Sequence, residues 1–182
     1  AWLQLDRWSD GNTWRLRGRV EYQHFPLPYY GVGDDTPDAS EEWYTSTGAS
    51  GHLLLQRRLG AAVYVGGSAR VFDLDVRDRT PGGALASGMV FGASGGTLVQ
   101  AQGFVAFDSR DHVVSPRAGR LMQLTVSSAG GAIGSRYDFT RYALDVRRYW
   151  TLGTRRHVVA AQWLGEATTG RAPFDQLVQV GS

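Results

Sequence analysis

A strict alternation of apolar and polar residues is the feature that most limits what this chain can fold into. Successive side chains of a β-strand point to opposite faces, so an alternation with a period of two predicts a strand with one apolar face. From position 14 onward the apolar positions are Trp14, Leu16, Gly18, Val20 and Tyr22, and the intervening ones are Arg15, Arg17, Arg19, Glu21 and Gln23. Near the end of the chain Tyr142, Leu144, Val146 and Trp150 alternate in the same way with Arg141, Asp145 and Arg147. The chain is therefore predicted to be all-β.

Eight strands are predicted along the chain, each antiparallel to the next. They cover residues 1–8, 13–25, 43–59, 61–78, 94–108, 118–130, 136–151 and 155–169. The connections at 9–13, 59–61, 109–117 and 152–154 are short, whereas those at 26–42, 79–93 and after Gly170 are long; the short connection 130–135 is the exception. Tight turns that alternate with long loops are typical of an up-and-down β-barrel in a bacterial outer membrane.

The lengths of the predicted strands also favour a membrane barrel. A tilted strand of ~9 to 11 residues crosses a bilayer, and strands of soluble proteins usually have 3 to 10 residues. The chain has no run of ~18 consecutive apolar residues, which excludes a membrane-spanning helix. A soluble β-sandwich shares the alternation and the aromatic core, and it stays open as an alternative. The residues expected to face lipid or to form the aromatic girdles are Trp14, Leu16, Val20, Tyr22, Tyr142, Leu144, Val146 and Trp150.

Arginine supplies all of the basic side chains. The 19 basic residues include no lysine, and the chain also has 17 acidic residues, so the net charge is only +2. Such a balance, without a patch of one sign, gives no support to nucleic-acid binding. Six arginines on the polar sides of the predicted strands are expected to face a lumen: Arg15, Arg17, Arg19, Arg70, Arg141 and Arg147. Buried charges need water or carboxylates, and side chains already fill a closed barrel of eight strands, so these arginines favour a larger barrel.

Three segments of the chain resemble one family. FPLPYYGVGDDTP at 25–37 resembles its Pro-x-x-Tyr-Gly-Ile-Gly-Asn loop, with Pro28, Tyr30, Gly31 and Gly33 in the matching positions. FDSRDHVVSPRAGR at 107–120 resembles its turn signature, through Asp108, Arg110, Asp111, Pro116 and Gly119. The stretch from Ser135 to Ser182 resembles the region that leads into a long inward-folded loop. The family is that of the bacterial surface antigens, which includes outer-membrane assembly barrels and relatives in two-partner secretion.

The resemblance implies a transmembrane up-and-down barrel of sixteen strands, of which the eight predicted here would be the fourth to the eleventh. Residues 1–182 would then be part of one outer-membrane β-barrel domain, with no periplasmic domain in this chain. The implied function is the insertion or assembly of outer-membrane proteins, or the translocation of polypeptides. The implied partners are outer-membrane lipids (lipopolysaccharide and phospholipid), client outer-membrane proteins and accessory subunits, and no cofactor is implied.

The turn signature also has a physical reading of its own. Asp108 ends one predicted strand, and Pro116 and Gly119 precede or open the next. Proline cannot donate a hydrogen bond within a sheet and glycine reaches unusual dihedral angles, so both residues belong at a turn. Arg110 lies between Asp108 and Asp111 and could pair with either carboxylate.

The sequence offers little catalytic or metal-binding chemistry. Residues 92–96 match the Gly-x-Ser-x-Gly pattern of a nucleophile elbow around Ser94, but that motif needs a helix after the serine, and a strand is predicted here. The four histidines are scattered without metal-ligand spacing. We therefore expect a protein without enzymatic activity, catalytic residues or a metal. The alternative function is a porin-like or small-barrel module for permeability or binding, with an arginine-rich lumen.

Overall fold

Eight long strands account for most of the molecule. The computed structural model describes residues 1–33, 36, 41–153 and 157–177. The strands are β1 (Trp2–Trp8), β2 (Trp14–Tyr29), β3 (Glu42–Arg58), β4 (Val63–Arg77), β5 (Gly96–Asp108), β6 (Gly119–Ala129), β7 (Asp138–Leu152) and β8 (His157–Arg171). Short helical segments are α1 (Ala84–Ser87) and single 3-10 turns at Asp10–Asn12, Gly131–Ile133 and Phe174–Gln176. The predicted order of eight strands is confirmed.

All eight strands form one sheet in the order of the sequence. Each strand pairs with the next in an antiparallel register, from β1 with β2 to β7 with β8. In the described ranges β1 and β8 do not pair with each other, so the sheet is open. The prediction of an all-β, up-and-down arrangement is confirmed, and an open sheet of this kind agrees with part of a larger barrel.

Strand β2 is longer than predicted, and this corrects the position of the first long connection. The strand continues through Pro26 and Pro28 to Tyr29, so Pro28 lies in a strand rather than in a loop. The Tyr22 amide donates to the Ala1 carbonyl oxygen at 2.9 Å, which shows that even-numbered positions of β2 point their backbone groups towards β1. Pro26 and Pro28 lie at even-numbered positions, so the amide protons that they lack are not needed for the pairing of β2 with β3.

The pairing register divides the side chains between two faces. One face, called here the aliphatic face, carries residues such as Val20, Leu53 and Leu124, which are 55%, 56% and 46% exposed. The opposite face, called here the arginine face, carries Arg19, which is aligned with His52 of β3 and, through it, with Arg70 of β4. None of the elements in the described part of the chain covers the aliphatic face, whereas a soluble sandwich would bury it.

The two ends of the sheet differ in their connections. The connections at 9–13, 59–62 and 109–118 lie at one end, called here the turn end, where β7 ends and β8 begins. The connections at 30–41, 78–95 and 130–137 lie at the opposite end, called here the loop end. Among the residues that the structure describes, no helix is both long enough and apolar enough to span a bilayer.

Loop segments fold back over the arginine face at the loop end and create the buried core. The core residues are Tyr29, Tyr44, Phe72, Leu74, Val76, Leu85, Ala93, Leu98, Ala129, Tyr137, Phe139 and Phe174. Helix α1 is held there by the Glu42 carboxylate, which accepts hydrogen bonds from the amides of Ala84 at 2.5 Å and Leu85 at 3.1 Å. These two amides at the helix start have no partner inside the helix, so the carboxylate satisfies them. The core is therefore built from strands and loops together.

Candidate functional site

The six arginines selected from the sequence all lie on the arginine face. Arg15 and Arg17 share one carboxylate, because Nη2 of each lies 2.7 Å and 2.8 Å, respectively, from Oδ2 of Asp6. Arg17 and Asp6 are direct partners in the register of β1 and β2, so the pairing of the strands brings these charges together. That this face borders a lumen stays a prediction.

Two further arginines pair with acids two positions away on their own strands. Arg19 lies 2.9 Å from Glu21, and Arg147 lies 2.6 Å from Asp145. Residues i and i+2 of a strand share a face, so each pair forms without any long-range fold. Gln162 of β8 also donates to the Asp145 carboxylate at 3.2 Å. Four of the six arginines are thus paired with carboxylates on the same face.

Arg70 and Arg141 differ from the other four. Within the described ranges, neither lies within 4.0 Å of a carboxylate oxygen. The Arg70 guanidinium lies 5.2 Å from the centre of the Phe72 ring, and Arg141 donates to the carbonyl oxygen of Gln176. The Arg141 Nε is buried without an acceptor in the part of the chain that the structure describes. The charges of these two arginines are therefore not offset by a direct ion pair within the described ranges.

A polar depression of about 330 Å³ lies in the middle of the arginine face. Its lining consists of Arg19, Glu21, Ser50, His52, Ser68, Arg70, Gln100 and Gln102. Only Arg19 and Arg70 of this set were predicted from the sequence. The register aligns positions 19, 52, 70 and 100 across four strands, and that long-range alignment cannot be read from one strand at a time. The arrangement provides hydrogen-bond donors and positive charge for an anionic or polar group.

The segment after β8 docks on the loop end of the arginine face. Phe174 makes edge contacts with the rings of Tyr29 and Tyr44, at centroid distances of 5.5 Å and 5.4 Å. Its amide donates to the carbonyl oxygen of Phe91 at 3.0 Å, which joins this segment to the 78–95 connection. Aromatic edge contacts of this kind add about 0.5 to 1.5 kcal/mol each beyond the burial of area. Two chain segments consequently cover the arginine face at this end.

The residues of the family loop and of the family turn lie at opposite ends of the sheet. At the loop end Pro28 is in β2, Tyr30 is exposed, and Gly31 and Gly33 have positive φ angles of 102° and 115°. A Cβ atom on Gly31 would overlap the Cγ2 atom of Thr36, so this position requires glycine for its space as well as for its φ angle. The two motifs therefore do not form a common site.

The family turn is an ion-paired hairpin connection at the turn end. Arg110 pairs with Asp108 and not with Asp111: its Nε and Nη2 atoms lie 2.9 Å and 2.7 Å from the two Asp108 oxygens. Asp111 instead accepts backbone hydrogen bonds from Arg117, Ala118 and, more weakly, His112, and these bonds hold the pKa of its carboxyl below the ordinary aspartate value. Each carboxylate thus fixes a different half of the connection. Pro116 follows both aspartates in the sequence and precedes β6.

The residues expected to face lipid lie on the aliphatic face. Trp14 and Trp150 are at the turn end, and Tyr22 and Tyr142 lie eight positions from them, toward the loop end, on the same strands. Leu16, Val20, Leu144 and Val146 lie between these aromatic positions on the same face. The aromatic residues thus form two rows with aliphatic residues between them.

Ser94 lies exposed in the connection that precedes β5. The chain enters a strand at Gly96, two positions after the serine, and not a helix. A nucleophile elbow requires a strand, a sharp turn and then a helix. The local geometry therefore differs from that motif.

A test of the turn replaces Gly119 by alanine. Gly119 has a φ of 103°, and a Cβ atom there would overlap the carbonyl oxygen of Ser109. We expect Gly119→Ala to lower the free energy of unfolding by about 1 to 3 kcal/mol, because a non-glycine residue is strained there. The matched control is Gly103→Ala, because a Cβ atom added at Gly103 would meet no other atom within 4 Å. Urea unfolding of the full-length protein in detergent micelles measures both, and an equal loss in the two variants would contradict this account.

A second test concerns the pH dependence of the docked segment that contains Phe174. Burial raises the pKa of Asp175 above its ordinary value, although the Gln176 side chain donates to the carboxylate at 2.8 Å. Because the raised pKa belongs to the docked state, docking is strongest below the ordinary aspartate value of 3.8 and weakens as the pH rises through the raised one. We expect Asp175→Asn to remove this dependence and to tighten docking at neutral pH.

Hydrogen exchange of the Phe174 amide, corrected for the intrinsic pH dependence of exchange, measures the docking. The Ser109 amide, which donates to the Arg120 carbonyl oxygen at the turn end at 2.9 Å, is the internal control and should exchange equally in both proteins. Protection of Phe174 that does not change with pH in the unmodified protein would contradict the assignment to Asp175.

Comparison with known proteins agrees with the residues that suggested a family. The family model of the Omp85 superfamily domain matches residues 5–182. No curated protein and no solved structure matches the chain. Proteins of this superfamily are in general associated with the outer membrane and with assembly or translocation there. Since the match spans nearly the whole sequence, this chain belongs to the Omp85 superfamily.

Proposed function

We propose that this chain is a membrane-spanning section of an outer-membrane β-barrel that inserts other outer-membrane proteins or translocates polypeptides, without enzymatic activity. Membership of the Omp85 superfamily supports the general role. The observation that carries the membrane assignment is the uncovered aliphatic face, which presents side chains such as Val20 and Leu53 without a second layer. Outer-membrane lipids, client barrel proteins and accessory subunits are the proposed partners.

The distribution of charge along the aliphatic face supports a lipid belt. Its charged residues lie at the two ends: Arg7, Arg57, Arg120 and Arg148 at the turn end, and Asp73, Asp75, Arg77, Asp138 and Arg171 at the loop end. The eight positions from Trp14 to Tyr22 correspond to about 27 Å along a strand. At the usual strand tilt of ~35 to 45° this gives a height of roughly 20 Å, close to the ~25 Å apolar band of outer-membrane barrels.

The opposite face suits an aqueous interior. Four of its arginines form ion pairs within 3 Å, and the Arg15 and Asp6 side chains remain 23% and 27% exposed. Ion pairs of this kind tolerate water, whereas charges directed into hydrocarbon are costly. An open sheet with these two faces supports a section of a wide barrel, because the interior of a closed barrel of eight strands is filled by side chains.

The loop end favours polypeptide handling over an open pore. Helix α1 and the Phe174 segment pack on the arginine face, and their buried side chains include Leu85 and Phe174. Such packing narrows the interior at the loop end. A porin-type function is the second candidate because the depression around Arg19 and Arg70 offers positive charge to small anions.

A charge scan tests the membrane assignment. We expect Val20→Arg to destabilise the folded protein by about 1 to 3 kcal/mol, because its side chain would enter the apolar band between its middle and the row of Tyr22. The matched control is Leu164→Arg, an apolar residue of β8 on the arginine face, because there the new arginine would lie opposite the Asp145 carboxylate. The full-length protein is folded into phosphatidylcholine vesicles, and the folded fraction is measured by gel mobility without heating. A larger loss of folded protein for the control variant would mean that the arginine face, and not the aliphatic face, contacts lipid.

A client-folding assay tests the proposed activity. Vesicles containing the full-length protein should accelerate the folding of an unfolded outer-membrane barrel severalfold over empty vesicles, and vesicles with an unrelated barrel serve as the control. Gel mobility of the client gives the rate. Absence of acceleration together with anion-selective conductance across planar bilayers would favour the porin-type function instead.

A further inference from the structure

Two arginines face each other across neighbouring strands on the aliphatic face. Arg120 of β6 is the direct register partner of Arg148 of β7, and both side chains are exposed. Cβ atoms of directly opposed residues lie about 4.5 to 5.5 Å apart, and like charges in that position are destabilising. A pair of this kind calls for an anion that offsets the repulsion.

The described part of the chain supplies no such anion. Neither Arg120 nor Arg148 lies within 4.0 Å of a carboxylate oxygen in the described ranges. All the charged strand residues of the aliphatic face at the turn end are arginines. At the loop end, by contrast, Arg77 of the same face lies 2.6 Å from Asp75. The excess of positive charge is therefore a property of one end of the face.

Aromatic rings hold these guanidinium groups in place. Arg120 lies 5.0 Å from the centre of the Phe107 ring, and Arg148 lies 5.7 Å from that of Trp150. A third pair, Arg57 with Trp14 at 5.1 Å, extends the row toward β1. A guanidinium placed over a ring keeps N–H donors directed away from that ring, and its planar fork matches the oxygens of a phosphate. The row is thus arranged to bind an anion with several oxygens.

We infer that Arg120 and Arg148 form a binding site for the phosphate of a phospholipid in the leaflet at the turn end. This inference rests on the proposed membrane function, because only then does the row lie at the depth of the lipid headgroups. Aromatic girdles mark that depth, and tight turns of outer-membrane barrels lie on the periplasmic side. The phosphate offsets the repulsion between the two arginines, while the acyl chains lie on the apolar residues between the two ends of the face.

Lipid binding to the full-length protein tests the site. The protein is purified in maltoside micelles, which contain no phosphate, and is titrated with phosphatidylglycerol or with diacylglycerol of the same chains. Native mass spectrometry counts the retained lipids. We expect the protein to retain phosphatidylglycerol in preference to diacylglycerol, and Arg120→Gln with Arg148→Gln to weaken phosphatidylglycerol binding roughly tenfold.

Two further variants make the result specific. The double change Arg77→Gln with Arg171→Gln removes the same charge from the loop end, where Arg77 pairs with Asp75 and Arg171 lies over the Phe91 ring, and should retain full binding. The double change Arg120→Lys with Arg148→Lys keeps the charge and should bind phosphatidylglycerol more tightly than the turn-end glutamine variant. If the glutamine variant folds poorly, the lysine variant still tests the site. Equal losses in the turn-end and loop-end glutamine variants, or unchanged binding in the turn-end one, would overturn the inference. Folding into vesicles is measured separately by gel mobility, so failure of the membrane assignment is seen independently.

Discussion

The antiparallel register of the strands is the constraint on which the rest of the structure depends. A shift of one residue between two strands would exchange their faces, so that Arg19 would align with the aliphatic face and Val20 with the charged one. The hairpin between β5 and β6 shows how the register is fixed locally. Arg110 is bound bidentately by Asp108, and Gly119 adopts a φ of 103° at a place where a side chain would meet the backbone of Ser109. A turn that accepts only one geometry fixes the alignment of both strands that it joins.

The register also determines how charge is stabilised on the arginine face. Asp6 meets Arg17 because the two are register partners, and Glu21 and Asp145 meet their arginines because residues two apart share a face. Arg141 has no such neighbour in the described ranges, and its contact with the Gln176 carbonyl oxygen comes from a segment that follows β8. Strand pairing thus supplies the local ion pairs, whereas the docked segment supplies a contact that the strands alone lack.

Much of the fold could be predicted from the sequence because alternation is local. All eight strands and their order follow from it, and the end of β5 at Asp108 is where the pattern places it. The continuation of β2 through Pro26 and Pro28 is not predicted because proline ordinarily ends a strand, whereas both prolines lie at positions whose amides point away from β3. Docking of Phe174 and the depression around His52 depend on contacts between distant segments, which no local pattern encodes.

The register also explains why a repulsive pair persists on the aliphatic face. Arg120 follows Gly119 directly, so the turn that fixes the glycine also fixes the side of the sheet on which Arg120 lies. Arg148 precedes Trp150 by two positions and shares its face, so the strand that carries the aromatic residue carries the charge with it. The two arginines can be separated only by a shift of register, which would also place arginines of the opposite face on the aliphatic face. In the proposed membrane-spanning barrel that shift would direct several charges into hydrocarbon, so a local repulsion offset by the proposed phosphate costs less than the shift of register.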